Sequence, residues 1–167
     1  MDTKFLTVMA VLDENAQRIL GEWQGRVLAA GLAGTQTMGI PFHISLGSYP
    51  PDREAELIRV IAATAAGHGA FSLAFSALDS FPNSRVLFAR PEASAQLSAL
   101  RGIFCHDYPN SYPWVPHATL FCGEPAAVRV AREILTSRFR PFRARVIALE
   151  MGEFFPPRRI CREELLP

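Results

Sequence analysis

Two spacings of apolar residues alternate along this chain, and they predict strands and helices in turn. Residues 4–12 place apolar side chains on both faces of an extended segment, which is typical of a buried strand. Asp13 is a suitable helix N-cap, and after it the apolar residues recur every three or four positions until Gly31. The pattern predicts a strand followed directly by an amphipathic helix.

The remaining pattern predicts six further strands and three further helices. The strands are expected at residues 42–46, 71–78, 86–90, 117–121, 143–151 and 154–161. The helices are expected after Pro50-Pro51 as far as Gly67, over residues 92–104, and from Glu124-Pro125 through Leu135. Four helices and about seven strands indicate an α+β protein. No Gly/Ser linker divides the pattern, so we expect residues 1–167 to form one domain.

Composition narrows the class of protein. The 167 residues are 49% hydrophobic and carry a formal net charge of +1. This hydrophobic content excludes a disordered chain, and no apolar run reaches the roughly 18 residues that span a bilayer. Residues 1–6 lack the basic and apolar regions of a signal peptide. We therefore expect a soluble cytoplasmic protein with no membrane partner.

Charge and cysteine content limit the partners further. A net charge near zero argues against extended nucleic-acid binding, which needs many cationic contacts to phosphate. The charges are nevertheless uneven, since residues 1–83 carry five basic and eight acidic side chains and residues 84–167 carry twelve and eight. Cys105, Cys122 and Cys161 form no CxxC pair and are odd in number, which argues against a disulfide framework.

One short pattern occurs twice, 74 residues apart, and each time a loop and a predicted helix follow it. Both copies begin with His and have a hydroxyl residue two positions later and an aliphatic residue after that: His43-Ile44-Ser45-Leu46 and His117-Ala118-Thr119-Leu120. In a strand, residues two apart point to the same face. Each strand therefore presents an imidazole and a hydroxyl on one face and apolar groups on the other. A duplicated unit of this kind would place the two strands symmetrically across a shared cleft.

Two imidazoles and two hydroxyls in one cleft suit attack at phosphorus. Imidazole titrates near pH 6.5, so one histidine can accept the proton of the attacking oxygen while the other protonates the leaving oxygen. The hydroxyls can donate hydrogen bonds to the non-bridging oxygens as charge builds on them. This scheme calls for no metal and no other cofactor.

The two tetrads, His43–Leu46 and His117–Leu120, resemble the paired signature of the 2H phosphoesterases. That superfamily includes the 2'-5' RNA ligase-like proteins and the 2',3'-cyclic nucleotide phosphodiesterases. The resemblance covers most of the chain in the order and size of its elements. It implies a bilobal, pseudo-symmetric α+β fold, with two antiparallel sheets and outer helices around a central cleft. It also implies metal-independent hydrolysis of a 2',3'-cyclic phosphate or a 2'-5' phosphodiester of a nucleotide or RNA end.

Carried over to this chain, the resemblance assigns His43 and His117 as the catalytic acid–base pair and Ser45 and Thr119 as the groups that hold the phosphate. We favour His117 as the group that activates water, although the symmetry leaves the order open. The chain departs from the family in two places. Several RNA ligase-like members have an arginine after the second motif, where this chain has Phe121-Cys122-Gly123, and Ser45 replaces the commoner threonine. The missing arginine puts recognition of an RNA end in question more than the phosphate chemistry.

Other functions fit parts of the same pattern. The protein could be a nucleotide- or phosphate-binding module without catalysis. Ser45 and its neighbours partly match a serine-hydrolase elbow, but the first glycine of G-x-S-x-G is absent and no helix follows at once. A zinc site would need a ligand set without any CxxC pair, made of Cys105, His106, His117 and Cys122.

Three aromatic residues and a group of arginines border the motifs. Tyr49, Tyr112 and Trp114 could each stack on a nucleobase or pack inside the protein. A basic group could steer a phosphorylated ligand or form a solvated face: Arg138, Arg140, Arg143 and Arg145. The sequence leaves these alternatives open. It favours a small phosphorylated substrate over a long polymer as the partner.

Overall fold

The computed structural model describes residues 3–167. Seven strands lie within them: β1 Phe5–Leu12, β2 His43–Tyr49, β3 Phe71–Ser80, β4 Val86–Pro91, β5 Ala118–Cys122, β6 Phe142–Phe154 and β7 Arg158–Glu164. The same residues form four α-helices: α1 Glu14–Ala29, α2 Glu54–Ala66, α3 Ala95–Ile103 and α4 Pro125–Thr136. The predicted α+β class is therefore confirmed. No helix in this described part of the chain is long and apolar enough to cross a membrane.

Capping side chains set where two of the helices begin. Asp13 caps α1 by accepting a hydrogen bond from Ala16 N at 3.2 Å, as the sequence predicts. The third helix begins at Ala95, three residues later than predicted. The reason is that Ser94 caps it, with Oγ accepting from Leu97 N at 3.1 Å.

The strands form one antiparallel sheet whose order is symmetric about its centre. The order is β2-β1-β6-β3-β4-β5, with β7 also paired to β6. It arises from two successive repeats, β1-α1-β2-α2-β3 and β4-α3-β5-α4-β6. The third strand of each repeat pairs with the first strand of the other, and the two third strands pair with each other. The duplication expected from the tetrads is therefore visible in the fold.

The structure differs from the sequence-based expectation in how the two sheets relate. The family resemblance implies two antiparallel sheets, whereas β6 is 13 residues long and joins them into one. Its residues 142–146 pair with β3, and its residues 146–154 pair with β1. We call β2, β1, residues 146–154 and β7 the first half-sheet. We call β5, β4, β3 and residues 142–146 the second half-sheet.

The hydrophobic core packs one face of the sheet against the helices. It contains Ile44 and Leu120 from the two tetrads, together with Leu20 of α1 and Leu135 of α4. These residues are completely buried. Because side chains alternate between the faces of a strand, the histidine and hydroxyl of each tetrad face away from this core.

Candidate active site

The two tetrads begin the two end strands of the sheet. His43 is the first residue of β2, and His117 directly precedes β5. In each tetrad the histidine and the hydroxyl residue are partly exposed, while the two apolar residues are buried. The alternation of faces predicted for both strands is therefore present in the structure.

Both motif strands contain a β-bulge at the same position. The pairing of β2 with β1 skips Leu46, and the pairing of β5 with β4 skips Leu120. A bulge bends its strand and re-aims the neighbouring side chains. The fourth residue of each tetrad therefore marks a matching change of backbone direction directly after the hydroxyl residue.

Side chains from distant helices satisfy the carbonyl groups of the two bulges. Arg101 of α3 donates from Nη1 to Leu46 O at 2.6 Å. Gln24 of α1 donates from Nε2 to Leu120 O at 2.9 Å. Arg101 is itself fixed by a bidentate ion pair with Asp107. These contacts hold the backbone that carries the two hydroxyl residues.

Each imidazole is fixed through its Nδ1 atom by the carbonyl two residues earlier. His43 Nδ1 lies 2.8 Å from Pro41 O, and His117 Nδ1 lies 2.7 Å from Val115 O. A carbonyl oxygen only accepts, so Nδ1 carries a proton and donates it. The neutral ring then has an unprotonated Nε2, and the charged ring has Nε2–H. Either histidine can therefore accept or donate a proton at Nε2.

Burial keeps both imidazoles weakly basic. Desolvation lowers the pKa of His43 and of His117 below the ordinary 6.5, although the hydrogen bond to a backbone carbonyl offsets part of this effect. Phe81 and Phe88 pack on His117, with ring centroids 4.8 and 5.2 Å from that of the imidazole. A charge on His117 lowers the pKa of His43 further. Burial and this repulsion together disfavour a doubly protonated pair.

The two motifs meet at a cavity of about 290 Å³, which we call the motif cavity. His43 and Thr119 both line it, and residues 35–42 form another part of its wall. Gln36 holds this wall segment to β5 by accepting a hydrogen bond from Cys122 N at 3.1 Å. The structure therefore brings residues of both predicted motifs to one concave surface.

The three aromatic residues that border the motifs have different surroundings. Tyr49 is buried and stacks on His106, with ring centroids 4.8 Å apart. Trp114 donates from Nε1 to Ser45 O at 3.0 Å, so its indole helps to position the first motif. Tyr112 is 71% exposed. Of these three, Tyr112 is the one whose ring is open to a ligand.

The remaining candidate groups do not form a second site. The four arginines of residues 138–145 are all exposed, and Arg140 donates to the backbone carbonyls of Ser137 and Phe139. Ser45 lies inside a paired strand rather than at a strand–turn–helix elbow, so it lacks the geometry of a serine hydrolase. Among residues 3–167, no group of three or more His, Cys, Asp or Glu side chains is arranged to hold a metal ion.

Sequence reasoning missed the side chains that hold the two bulges. Arg101 and Gln24 lie 55 and 96 residues from the carbonyls that they bind. Neither belongs to a motif. The one available signal is that each lies beside the apolar stripe of its helix, next to Leu100 and Trp23 respectively.

Comparison with known families identifies the chain. Residues 13–153 match the family model of the 2'-5' RNA ligase superfamily. The matched segment contains both tetrads and the whole second half-sheet, while β1 and β7 of the first half-sheet lie outside it. The chain belongs to the 2'-5' RNA ligase superfamily. The resemblance inferred from the two tetrads is therefore confirmed.

Several solved structures share the fold of this chain over nearly its whole length. Escherichia coli LigT in its apo form has a TM-score of 0.64 at 14% identity, covering 100% of both chains. LigT complexed with NADP+ has a TM-score of 0.67 at 14% identity, covering 99% of this chain and 100% of LigT. The Thermus thermophilus protein TT0787 has a TM-score of 0.65 at 18% identity, covering 96% of this chain and 97% of TT0787. At these identities the similarity shows a shared fold. No curated protein matches the sequence.

Proposed function

We propose that the protein is a metal-independent phosphoesterase that hydrolyses a 2',3'-cyclic phosphate or a 2'-5' phosphodiester of a nucleotide or RNA end. The observation that carries this proposal is the matched pair of imidazoles. Each has Nδ1 fixed by a backbone carbonyl, and residues of both motifs line one cavity. Membership of the superfamily supports phosphoester chemistry. Two further structures of LigT, complexed with 3'-AMP and with phosphate, support a small phosphorylated ligand.

The proposed reaction transfers two protons through the two Nε2 atoms. A water oxygen attacks phosphorus while an unprotonated imidazole accepts one of its protons. The bond from phosphorus to a ribose oxygen breaks, and the protonated imidazole gives its Nε2 proton to that oxygen. Each histidine ends in the state in which the other began. A pair that carries one proton, His43 and His117 together, therefore suits this reaction.

Ser45 and Thr119 would hold the phosphate during this reaction. Each shares a strand face with its histidine, two residues away, and Thr119 lines the motif cavity. Their hydroxyls can donate to the non-bridging oxygens, where negative charge increases in the transition state. A cavity of about 290 Å³ suits one nucleotide rather than a polymer.

Hydrolysis of nucleoside 2',3'-cyclic phosphates tests the proposal directly. We expect turnover by the unaltered protein in the presence of a chelator, because neither proton transfer requires a metal. His43→Ala and His117→Ala should each lower kcat by about 10²- to 10⁴-fold, the usual contribution of one general acid or base. His68→Ala is the matched control, because His68 Nδ1 also bonds to a backbone carbonyl, that of Thr64, but at the end of α2.

Three outcomes would contradict the proposal. Activity that survives both histidine substitutions would refute the two-histidine mechanism. Loss of activity on chelation would refute metal independence. Tight binding of a nucleotide without any turnover would favour a phosphate-binding module on the same fold.

A further inference from the structure

The wall of the motif cavity has no lysine, arginine, aspartate or glutamate among the described residues. It consists of hydroxyl groups, two amides, a thiol, apolar groups and the imidazole of His43. A phosphate bound there has no lysine or arginine of the wall to balance its charge. An anion that leaves water needs hydrogen bonds in place of its lost hydration. Neutral donors of the wall therefore have to supply them, together with the protonated imidazole.

Two glutamine side chains of this wall bind the backbone of β5, an end strand of the sheet. Gln24 Nε2 donates to Leu120 O at 2.9 Å, and Gln36 Oε1 accepts from Cys122 N at 3.1 Å. A backbone carbonyl only accepts and a backbone N–H only donates, so these bonds determine which end of each amide faces the strand. The ends left over are the carbonyl oxygen of Gln24 and the amino group of Gln36.

The amino group of Gln36 is open to solvent. Gln36 is partly exposed, and its Nε2 has no hydrogen-bond partner among the described residues. In that part of the chain, the side-chain nitrogen and oxygen atoms that are both enclosed and unpartnered all belong to Glu150. Gln36 Nε2 is therefore an accessible donor on the wall that also contains His43 and Thr119.

The backbone around Gln36 holds its amide in place. Thr35 N donates to Cys122 O at 2.8 Å, so the segment that carries Gln36 is bound to both backbone polar groups of Cys122. The amide also folds back over Gly34, where an added Cβ would lie 2.8 Å from Gln36 Nε2. The absence of a side chain at Gly34 thus leaves room for the amide. A donor that is fixed before the substrate binds needs no reorganisation during the reaction.

We propose that Gln36 is a further catalytic residue, whose Nε2 group donates a hydrogen bond to a non-bridging oxygen of the substrate phosphate. This inference rests on the proposed function, since the substrate phosphate would lie between the histidines. Negative charge increases on that oxygen in the transition state, so a fixed donor stabilises the transition state more than the ground state. Gln36 adds an amide donor to the hydroxyls of Ser45 and Thr119.

Gln36→Glu and Gln36→Met separate this role from simple anchoring of the wall. Glutamate keeps an oxygen that accepts from Cys122 N but replaces the free donor with a second acceptor, whereas methionine removes both groups. We expect each variant to lower kcat for nucleoside 2',3'-cyclic phosphates by about 10²- to 10³-fold. Gln36→Glu should be at least as impaired, because its charge also repels the phosphate. Normal kcat in Gln36→Glu would show that Gln36 at most anchors the wall, and would overturn the inference.

Ala33→Glu is the matched control for the added charge. It places a carboxylate three residues away on the same segment, but Ala33 is exposed and does not line the motif cavity. Solvent and salt screen an exposed charge, so kcat should change by less than about twofold. Equal losses in Ala33→Glu and Gln36→Glu would overturn the inference, because the effect would then come from charge near the cavity rather than from the lost donor.

Gly34→Ala tests the same donor without altering a residue that lines the cavity. The added methyl group would displace the Gln36 amide, which is the end of a flexible side chain and can move while the backbone stays in place. We expect the midpoint of denaturant unfolding to stay nearly unchanged, while kcat falls by about tenfold or more. An unchanged kcat would contradict the inference.

Calorimetric binding of adenosine 2'-monophosphate, an expected product, separates the two proposals. We expect Gln36→Met to weaken this binding by about 10- to 150-fold, the usual contribution of a hydrogen bond to a charged group. That result without turnover of any cyclic phosphate would support Gln36 as the phosphate donor and refute the proposed function. Turnover by the unaltered protein, with equal binding by the variant, would overturn the inference and leave the proposed function standing.

Discussion

The two half-sheets hold their tetrads with the same set of backbone contacts, but different residues surround the two tetrads. In each, an imidazole is held by the carbonyl two residues earlier, a bulge follows the hydroxyl residue, and a helix side chain binds the bulge carbonyl. The residues around the two histidines differ. Phe81 and Phe88 pack on His117, whereas His43 lies beside residues 35–42 in the motif cavity. The shared contacts suit a reaction that needs two equivalent proton carriers. The different surroundings can give each histidine its own role.

The hydroxyl residues give the most severe test of equivalence between the half-sheets. Ser45→Ala and Thr119→Val each remove one donor to the phosphate while leaving the strand intact. We expect each to lower kcat for cyclic phosphate hydrolysis by about 10²- to 10³-fold, the usual cost of losing one donor to a developing oxyanion. Steady-state kinetics on the two variants measure this loss.

The size of the two losses decides whether the comparison holds. Ser48→Ala is the control, because Ser48 lies on β2 beyond the bulge and is also partly exposed. It should change kcat by less than about twofold, since its hydroxyl lies outside the tetrad and makes no contact with the phosphate in the proposed reaction. A loss in only one of the two motif variants would show that a single half-sheet holds the phosphate, and the symmetric account would then fail.

The repeated tetrads are also the part of the molecule that the sequence could predict. Strand alternation placed His43 with Ser45 and His117 with Thr119, and the spacing of the tetrads indicated a duplication. These inferences depend only on residues close together in the chain. The single domain, the cytoplasmic location and the roles of the four residues stay predictions.

The two bulge contacts and the features that are not repeated depend on contacts between distant residues, and the sequence could not supply them. Gln36 lies between a predicted helix and a predicted strand, and no residue near it in the chain indicates its contact with Cys122, 86 residues away. The joining of the two sheets depends on the length of β6, which can pair with β3 at one end and with β1 at the other. Local periodicity carries no information on such pairings.

The two bulge contacts provide a smaller test. Both should stabilise the fold, but the contact in the first half-sheet should contribute more to the free energy of unfolding. Arg101→Met and Gln24→Met each leave a bulge carbonyl without its donor. We expect Arg101→Met to lower the free energy of unfolding by about 1.5–3 kcal/mol and Gln24→Met by about 0.5–1.5 kcal/mol, because the first bond involves a charged donor. Denaturant unfolding measures both values.

Activity separates a positioning role from a purely structural one in the same variants. If these side chains aim the hydroxyls, each variant should also lower kcat at a temperature where it remains folded. Arg101→Lys keeps the charge but loses the bidentate pair with Asp107, so it should recover only part of the stability. Unchanged kcat in both Met variants would show that the bulge contacts stabilise the fold without positioning the motifs.

The smallest expected effect concerns pH, and it resolves which half-sheet supplies the acid. Because burial lowers the pKa of both histidines below 6.5, the bell-shaped profile of kcat/KM should have both limbs on the acidic side of 6.5. Phe81→Ala exposes His117 and should raise its pKa towards 6.5, leaving the environment of His43 nearly unchanged. One limb of the profile should therefore move to higher pH while the other stays in place.

The limb that moves identifies the role of His117. The activity falls at low pH when the base becomes protonated and at high pH when the acid loses its proton. Movement of the low-pH limb would make His117 the base that activates water, and movement of the high-pH limb would make it the acid. Phe139→Ala is the control, since Phe139 packs on Trp23 rather than on an imidazole, and it should move neither limb. Equal movement of both limbs in Phe81→Ala would mean that the two imidazoles share one environment, so the half-sheets could not assign separate roles to them.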